Sequence, residues 1–168
     1  MRGLSGLADK ARFKVGDLMN LPVEDGTIDV IWTEFVSMNI ADKPRMYREF
    51  QRVLCPGGRV ALHELQRNSE EPAYYPAFWA DDPTLSFLHT PAEIKQMLIA
   101  SGFKERDWHN YTRDALEWWE RVRVKGQANP LGLNVIVADN VPEKAKNLHR
   151  SLQDGRTVAV KAVFERVQ

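Results

Sequence analysis

Residues 16–32 read GDLMNLPVEDGTIDVIW, in which a Pro and a Gly lie between an acidic residue and an apolar run. The residues just before it, RFKV (12–15), are a strand candidate that ends at Gly16 and Asp17. TIDVIWT (27–33) is a second candidate, and its mostly apolar composition is typical of a strand buried in a parallel sheet. We therefore expect two strand ends, each marked by an acidic residue, to lie close together.

Strand and helix signals alternate through the rest of the chain. Asp42 is a suitable N-cap for a helix to about Leu54, which the turn CPGG (55–58) ends. Thr90 and Glu93 form a capping box for a helix that ends at Gly102. Further strands are predicted at 59–64, 103–111 and 157–167, and further helices at 113–125 and from Pro142 to Gly155. Residues 4–11 resemble the end of a helix. Residues 128–140 fit a loop, a strand or a short helix. This alternation predicts an α/β sheet built from crossovers.

The composition is that of one folded domain of 168 residues, with 43% hydrophobic and 27% charged residues. The formal net charge is zero, so nothing attracts the chain to nucleic acid or to anionic lipid. No apolar run is long enough to span a bilayer, and the first residues lack the apolar segment of a signal peptide. The single cysteine, Cys55, cannot form an internal disulfide and favours a reducing compartment. We therefore expect a cytoplasmic protein with no nucleic-acid or membrane partner.

Three segments resemble the class I, Rossmann-like family of S-adenosylmethionine (SAM)-dependent methyltransferases. FKVGDLMNLPVEDGTIDVIW (13–32) is similar to the family's third strand, the acid that follows it and the fourth strand. MYREFQRVLCPGGRVALHE (46–64) is similar to the helix, PGG turn and fifth strand, and TPAEIKQMLIASGF (90–103) to the helix that leads into the sixth strand. The nearest branch looks like the methyltransferase type 11 enzymes of quinone biosynthesis and the sarcosine/dimethylglycine methyltransferases. The resemblance implies a three-layer α/β fold whose mostly parallel sheet has an antiparallel last strand.

The resemblance also implies a SAM site beyond the carboxyl ends of the strands. Asp17 would accept a hydrogen bond from the adenine amine, and the backbone N–H of Leu18 would face the adenine ring. Thr33 and Glu34, where the family's fourth strand ends, would lie against the methionine half of SAM. For Glu34, a solvated loop acid is the alternative interpretation.

The acceptor pocket is expected in two places. The loop after Glu34 would carry Met38 and Asn39 towards the substrate. In the family, the segment after the fifth strand often covers the acceptor site. The corresponding segment here, 65–90, contains an aromatic group: Tyr74, Tyr75, Phe78 and Trp79. These rings either line the pocket or only pack an irregular, proline-rich loop. The helical residues 112–155 would form an insert before the last strand.

Two parts of the family pattern are not found in the sequence, namely the glycine-rich loop after the first strand and the acid that ends the second strand. We therefore expect a single truncated methyltransferase domain over 1–168, whether the truncation is natural or proteolytic. Because the family's sheet order is 3-2-1-4-5-7-6, loss of the first two strands would expose one edge of TIDVIWT. Either RFKV moves in to pair with that edge, or a second copy covers it and makes a homodimer.

The expected function is methyl transfer from SAM to a small molecule, with Glu34 placed to steer an amine acceptor. Methyl transfer to a good nucleophile needs mainly alignment of donor and acceptor, and no catalytic residue is assigned. The four histidines lack metal-ligand spacing, and His63 and Glu64 point to opposite faces of a strand, so no metal is expected. Without half of the cofactor site, this chain would be inactive alone. The alternative is a non-catalytic α/β module that self-associates or binds a small ligand.

Overall fold

The computed structural model describes residues 10–125 and 139–167. Within these ranges strands and helices alternate: β1 (Ile28–Glu34), α1 (Lys43–Val53), β2 (Leu54–Arg67), α2 (Pro91–Ala100), β3 (Phe103–Asn110), α3 (Thr112–Lys125), α4 (Val141–Gln153) and β4 (Thr157–Arg166), with short 3-10 turns at Ser37–Asn39 and Pro83–Leu85. No helix in this part of the chain is long and apolar enough to cross a membrane.

The strands form one sheet in the order β1-β2-β4-β3. β1 and β2 run parallel, whereas β4 runs antiparallel to both β2 and β3. This confirms the predicted α/β fold with an antiparallel last strand. The register places Glu34 beside His63, so the carboxyl ends of β1 and β2 lie at the same end of the sheet. That end is where ligands bind in open α/β sheets.

The two faces of the sheet bury different helices. The period-two alternation predicted for the last strand sends Val158, Val160, Ala162 and Phe164 into the larger core, together with residues of α1 and α2. Ala159 points to the opposite face, where it packs with Leu65, Leu152 and residues of α3 and α4. The sheet therefore lies between two helical layers.

The predicted helix caps are confirmed. The Asp42 side chain accepts a hydrogen bond from the backbone N–H of Arg45 at 3.0 Å, so α1 begins at Lys43. Thr90 and Glu93 form the reciprocal capping box of α2. After α2 ends, Gly102 adopts a φ of 86°, a left-handed conformation that favours glycine.

The prediction of a strand at 12–15 was wrong. These residues form no strand, and the side chains of Phe13 and Val15 are exposed. RFKV therefore does not pair with β1, whose strand partner among the described residues is β2 alone. The physical reason is that a strand needs a neighbour for its backbone N–H and C=O groups. The resemblance places the family's second strand at that position, and no described residue forms a strand there.

Other differences are smaller. β2 begins at Leu54, five residues before the predicted start, and a register shift against β1 lies between Ile28 and Val30. The helix predicted at 4–11 and the segment 128–140 lie almost wholly outside the described residues.

Candidate functional site

A cavity of about 270 Å³ lies beside the carboxyl ends of β1 and β2. Its wall comes from five parts of the chain and is almost entirely apolar: Phe35, Met38, Asn39, Leu65, Phe78, Trp79, Trp119 and Leu148. Pockets for small molecules have this composition and range from about 300 to 1,000 Å³. This cavity therefore suits a small ligand with an apolar body.

Four of the six residues predicted for the substrate pocket come together in this wall: Met38, Asn39, Phe78 and Trp79. Tyr75 lies next to them, with its ring centroid 6.4 Å from that of Trp79. Tyr74 lies elsewhere. Its ring is flanked by the guanidinium groups of Arg150 and Arg156, each 3.9 Å from the centroid, and its hydroxyl donates to Asp154 at 2.9 Å. The hydrogen bond to Asp154 raises the pKa of Tyr74.

Half of the cavity wall was not predicted from the sequence: Phe35, Leu65, Trp119 and Leu148. Leu65 and Leu148 have the periodicity of core residues and carry no signal that separates a pocket from a core. Trp119 lines the cavity, whereas the neighbouring Trp118 is 53% exposed. Only the packing of α3 against the sheet distinguishes these two neighbouring rings.

The Glu64 side chain anchors the loop that follows β1. This carboxylate is 1% exposed and accepts hydrogen bonds from the backbone N–H groups of Val36 and Ser37, at 3.1 and 3.2 Å. Burial raises the pKa of Glu64, while the N–H donors of Ser37 and Val36 act in the opposite direction. Glu64 thereby fixes the backbone that places Phe35, Met38 and Asn39 in the cavity wall.

Lys43 and Asn39 join this loop to the segment after β2. The Lys43 ammonium donates to the carbonyl of Ile40 at 2.8 Å and also to the carbonyl of Phe87. Burial lowers the pKa of Lys43 to about 8, although Glu64 acts to raise it. The Asn39 amide donates to the carbonyl of Trp79. Both sides of the cavity are therefore tied together by polar contacts behind an apolar wall.

A row of polar side chains lies next to the cavity. His63 Nδ1 is 3.1 Å from Glu34 Oε1, and His63 Nε2 contacts the hydroxyl of Tyr111. The Phe35 ring, which lines the cavity, packs on the His63 ring with centroids 4.6 Å apart. Burial, with a further contribution from Glu34, raises the pKa of Tyr111 to about 12. The row holds the half-exposed Glu34 carboxylate in a fixed position beside Phe35.

The four residues that the resemblance assigns to the cofactor differ in their surroundings. Thr33 and Glu34 end β1, with Thr33 buried and the Glu34 side chain 54% exposed. Asp17 is exposed, and its carboxylate accepts from the backbone N–H of Met19 at 2.9 Å. Leu18 is half-buried against the larger core. The exposed carboxylates of Asp17 and Glu34 remain able to accept hydrogen bonds from a ligand.

Within residues 10–125 and 139–167, no three His, Cys, Asp or Glu side chains lie close enough together to hold a metal ion. The neighbours His63 and Glu64 serve different partners on opposite faces of β2, as strand alternation predicts.

Comparison with known proteins adds to this geometry. A family model described as "Methyltransferase domain" matches residues 3–62. The ubiquinone/menaquinone biosynthesis C-methyltransferase UbiE of Idiomarina loihiensis is 39% identical over 128 residues, which cover 64% of this chain and 51% of UbiE. Phosphoethanolamine N-methyltransferase 3 of Arabidopsis thaliana is 32% identical over 100 residues, which cover 60% of this chain and 20% of that enzyme. The chain thus spans about half of the first relative and a fifth of the second.

A solved structure shows the same fold. Geranyl diphosphate C-methyltransferase from Streptomyces coelicolor A3(2), in complex with Mg²⁺, geranyl diphosphate and S-adenosyl-L-homocysteine, superposes with a TM-score of 0.75 at 19% sequence identity. The superposition covers 99% of this chain and 58% of that chain.

Proposed function

Since this chain belongs to the class I family of SAM-dependent methyltransferases, we propose that it carries the acceptor pocket for methyl transfer to a small molecule. The observation that supports this most directly is the aromatic cavity beside the ends of β1 and β2. Its size favours a small acceptor, and its wall favours an apolar or aromatic body.

The family depends on SAM, which supplies a methyl group on a sulfonium and releases it to an attacking lone pair. In this chain, Asp17 and Glu34 offer the exposed carboxylates that could accept hydrogen bonds from the donor groups of SAM. Calorimetric titration with S-adenosylhomocysteine tests this part of the proposal. Saturable binding supports methyl transfer, whereas no binding would favour the alternative, a small-ligand-binding module derived from a methyltransferase.

We further propose that the acceptor is an amine whose nitrogen lies at Glu34. Glu34 precedes Phe35, which lines the cavity, and its carboxylate contacts His63, on whose ring Phe35 packs. An ammonium or amine N–H is a natural donor to this carboxylate, while the apolar part of the molecule occupies the cavity. An ammonium nitrogen would first lose a proton to solvent water, and its lone pair would then attack the methyl carbon while the bond from that carbon to sulfur breaks and S-adenosylhomocysteine leaves.

Two matched ligands test the amine proposal. Benzylamine and benzyl alcohol have similar apolar bodies and differ in the charged nitrogen. We expect both to bind and to shift the indole NMR signals of Trp79 and Trp119. In E34Q, we expect benzylamine to bind about three- to ten-fold more weakly, because a half-exposed charge pair contributes on the order of 1 kcal/mol. The affinity for benzyl alcohol should not change.

E24Q is the control variant, because Glu24 is an exposed acid that precedes β1, at the other end of the sheet. An equal loss of benzylamine affinity in E24Q and E34Q would contradict a specific role for Glu34. Failure of both ligands to bind the unmodified protein would count against the acceptor pocket itself.

We also propose that two copies associate through β1. This strand exposes two large apolar side chains, Val30 at 58% and Trp32 at 72%, beside an edge that no described residue pairs. Exposed apolar surface at an open sheet edge favours pairing with another strand. A second copy of β1 offers the same surface and the same backbone groups.

Replacement of Trp32 by glutamate tests this association. We expect the unmodified protein to sediment as a dimer at micromolar concentration and W32E to sediment as a monomer, because the new charge would be buried in the interface. Replacement of the exposed Leu85 by glutamate serves as the control, since Leu85 lies outside the sheet. A monomeric unmodified protein would contradict the proposal.

A further inference from the structure

A second cavity lies at the opposite end of the sheet from Glu34 and His63. Its volume is about 330 Å³, and it is lined by the turn at the start of β2, by β3 and by the end of β4: Pro56, Gly57, Lys104, Arg106, Glu165, Arg166 and Val167. No residue of the aromatic cavity takes part in it. The antiparallel pairing of β3 and β4 places Lys104 directly opposite Glu165. The strands therefore bring these side chains together although about 60 residues separate them in sequence.

The cavity concentrates positive charge in a chain whose formal net charge is zero. Three of its lining residues, Lys104, Arg106 and Arg166, are cationic, and one, Glu165, is anionic. The Glu165 carboxylate is already occupied, since it accepts from Arg106 at 2.6 and 3.1 Å and from Arg59 at 3.4 Å. Arg106 and Arg59 accordingly lower the pKa of Glu165. The single acid cannot also neutralise the other cations.

Two of the cationic side chains have hydrogen-bond donors without a partner among the described residues. The Lys104 ammonium has no ion pair within the part of the chain that the structure describes. Arg166 donates from Nη1 to the carbonyl of Leu54, while its buried Nε finds no acceptor among the described residues. Buried polar groups without a partner are rare in native proteins and call for an explanation. At Gly57, which lines the cavity, a Cβ atom would meet no other atom within 4 Å, so this side of the lining faces open space.

We propose that this cavity binds a phosphate group, either as free phosphate or as the head group of a small phosphomonoester. An ammonium group from β3 and guanidinium groups from β3 and β4 line one small concave site, and such groups recognise a compact dianion. The cavity is too small for a folded acidic segment, and its open side at Gly57 leaves room for the ester substituent. The site is independent of the acceptor pocket, so it stands whether or not the chain transfers a methyl group.

Titration with inorganic phosphate at constant ionic strength, followed by backbone amide NMR, tests the site. We expect saturable shifts confined to residues around Gly57, Lys104 and Arg166, and an affinity about ten-fold lower in K104E. K146E is the matched control, because Lys146 is an exposed lysine on α4 with the same charge change. Its affinity for phosphate should stay within about two-fold of the unmodified protein.

Phenyl phosphate distinguishes the two sources of the phosphate group. Tighter binding of phenyl phosphate than of phosphate would assign the site to a monoester, and equal binding would assign it to phosphate itself. In E165Q we expect tighter binding, because an anionic competitor is removed. Shifts that do not saturate, or equal losses in K104E and K146E, would overturn the proposal. Thermal unfolding of each variant shows whether the fold is retained.

Discussion

Replacing Glu64 with alanine is expected to lower the free energy of unfolding by about 2–4 kcal/mol and to abolish ligand binding in the aromatic cavity. The substitution leaves the N–H groups of Val36 and Ser37 without their acceptor and opens a cavity in a buried position. The loop that carries Phe35, Met38 and Asn39 loses its only side-chain anchor at those two N–H groups among the described contacts. Urea unfolding measures the first effect, and titration with benzyl alcohol measures the second.

The variant E64Q separates the hydrogen bonds from the charge. The introduced glutamine side chain keeps one acceptor oxygen for the two N–H groups, so we expect E64Q to retain most of the stability and the ligand affinity. Equal damage in E64Q and E64A would show that Glu64 acts by its charge rather than by capping the loop.

The unmodified protein and E64Q should differ in how their free energies of unfolding depend on pH. Because burial raises the pKa of Glu64 in the folded state, the folded protein holds a proton that the unfolded chain has already lost. The contribution of Glu64 to stability is therefore fully present below its unfolded pKa and is lost as pH rises through its folded pKa. Glutamine does not titrate. Between the unfolded and the folded pKa of Glu64, the free energy of unfolding of E64Q should therefore fall less with rising pH than that of the unmodified protein.

Replacing Trp119 with alanine is expected to weaken the binding of benzyl alcohol by about ten-fold or more. The indole ring forms part of the apolar cavity wall, and its removal takes away contact area that a ligand would bury. The ring also packs against His149, with centroids 6.3 Å apart, so a smaller loss of stability should accompany the loss of affinity.

W118A is the matched control, because Trp118 directly precedes Trp119 in α3, has the same ring and is 53% exposed. We expect its ligand affinity to change by less than about two-fold. The two rings contact each other, with centroids 5.8 Å apart, so a loss in W119A that W118A reproduces would point to a general disturbance of α3. That result would contradict the assignment of Trp119 to the cavity wall.

The elements of the fold could be predicted largely from local signals. The caps at Asp42 and at Thr90 with Glu93, and the alternation in 157–167, each depend on residues within a few positions of one another. These signals placed α1, α2 and β4 correctly. RFKV has the same local signal as a strand, but it forms none, because strand formation also needs a partner that no local pattern reports.

The candidate site was predictable only in part. Met38, Asn39, Phe78 and Trp79 could be named because they lie in the loops where the family resemblance places an acceptor. Tyr74 belongs to the same aromatic group, yet its ring lies between Arg150 and Arg156 from the other end of the chain. The row of Glu34, His63 and Tyr111 joins residues up to 77 positions apart, and no spacing in the sequence indicates it.

Apart from the strand wrongly expected at 12–15, the order of strands and helices, the ends of the capped helices and the family could be read from the sequence, because these depend on short-range periodicity and on contiguous motifs. Contacts in the folded chain establish which aromatic rings line the cavity and that Glu64 accepts hydrogen bonds from the loop after β1. The same contacts place four cations of three strands around Glu165 and leave one edge of β1 without a strand partner among the described residues. These features depend on contacts between distant residues, which form only when the sheet brings its strands into register.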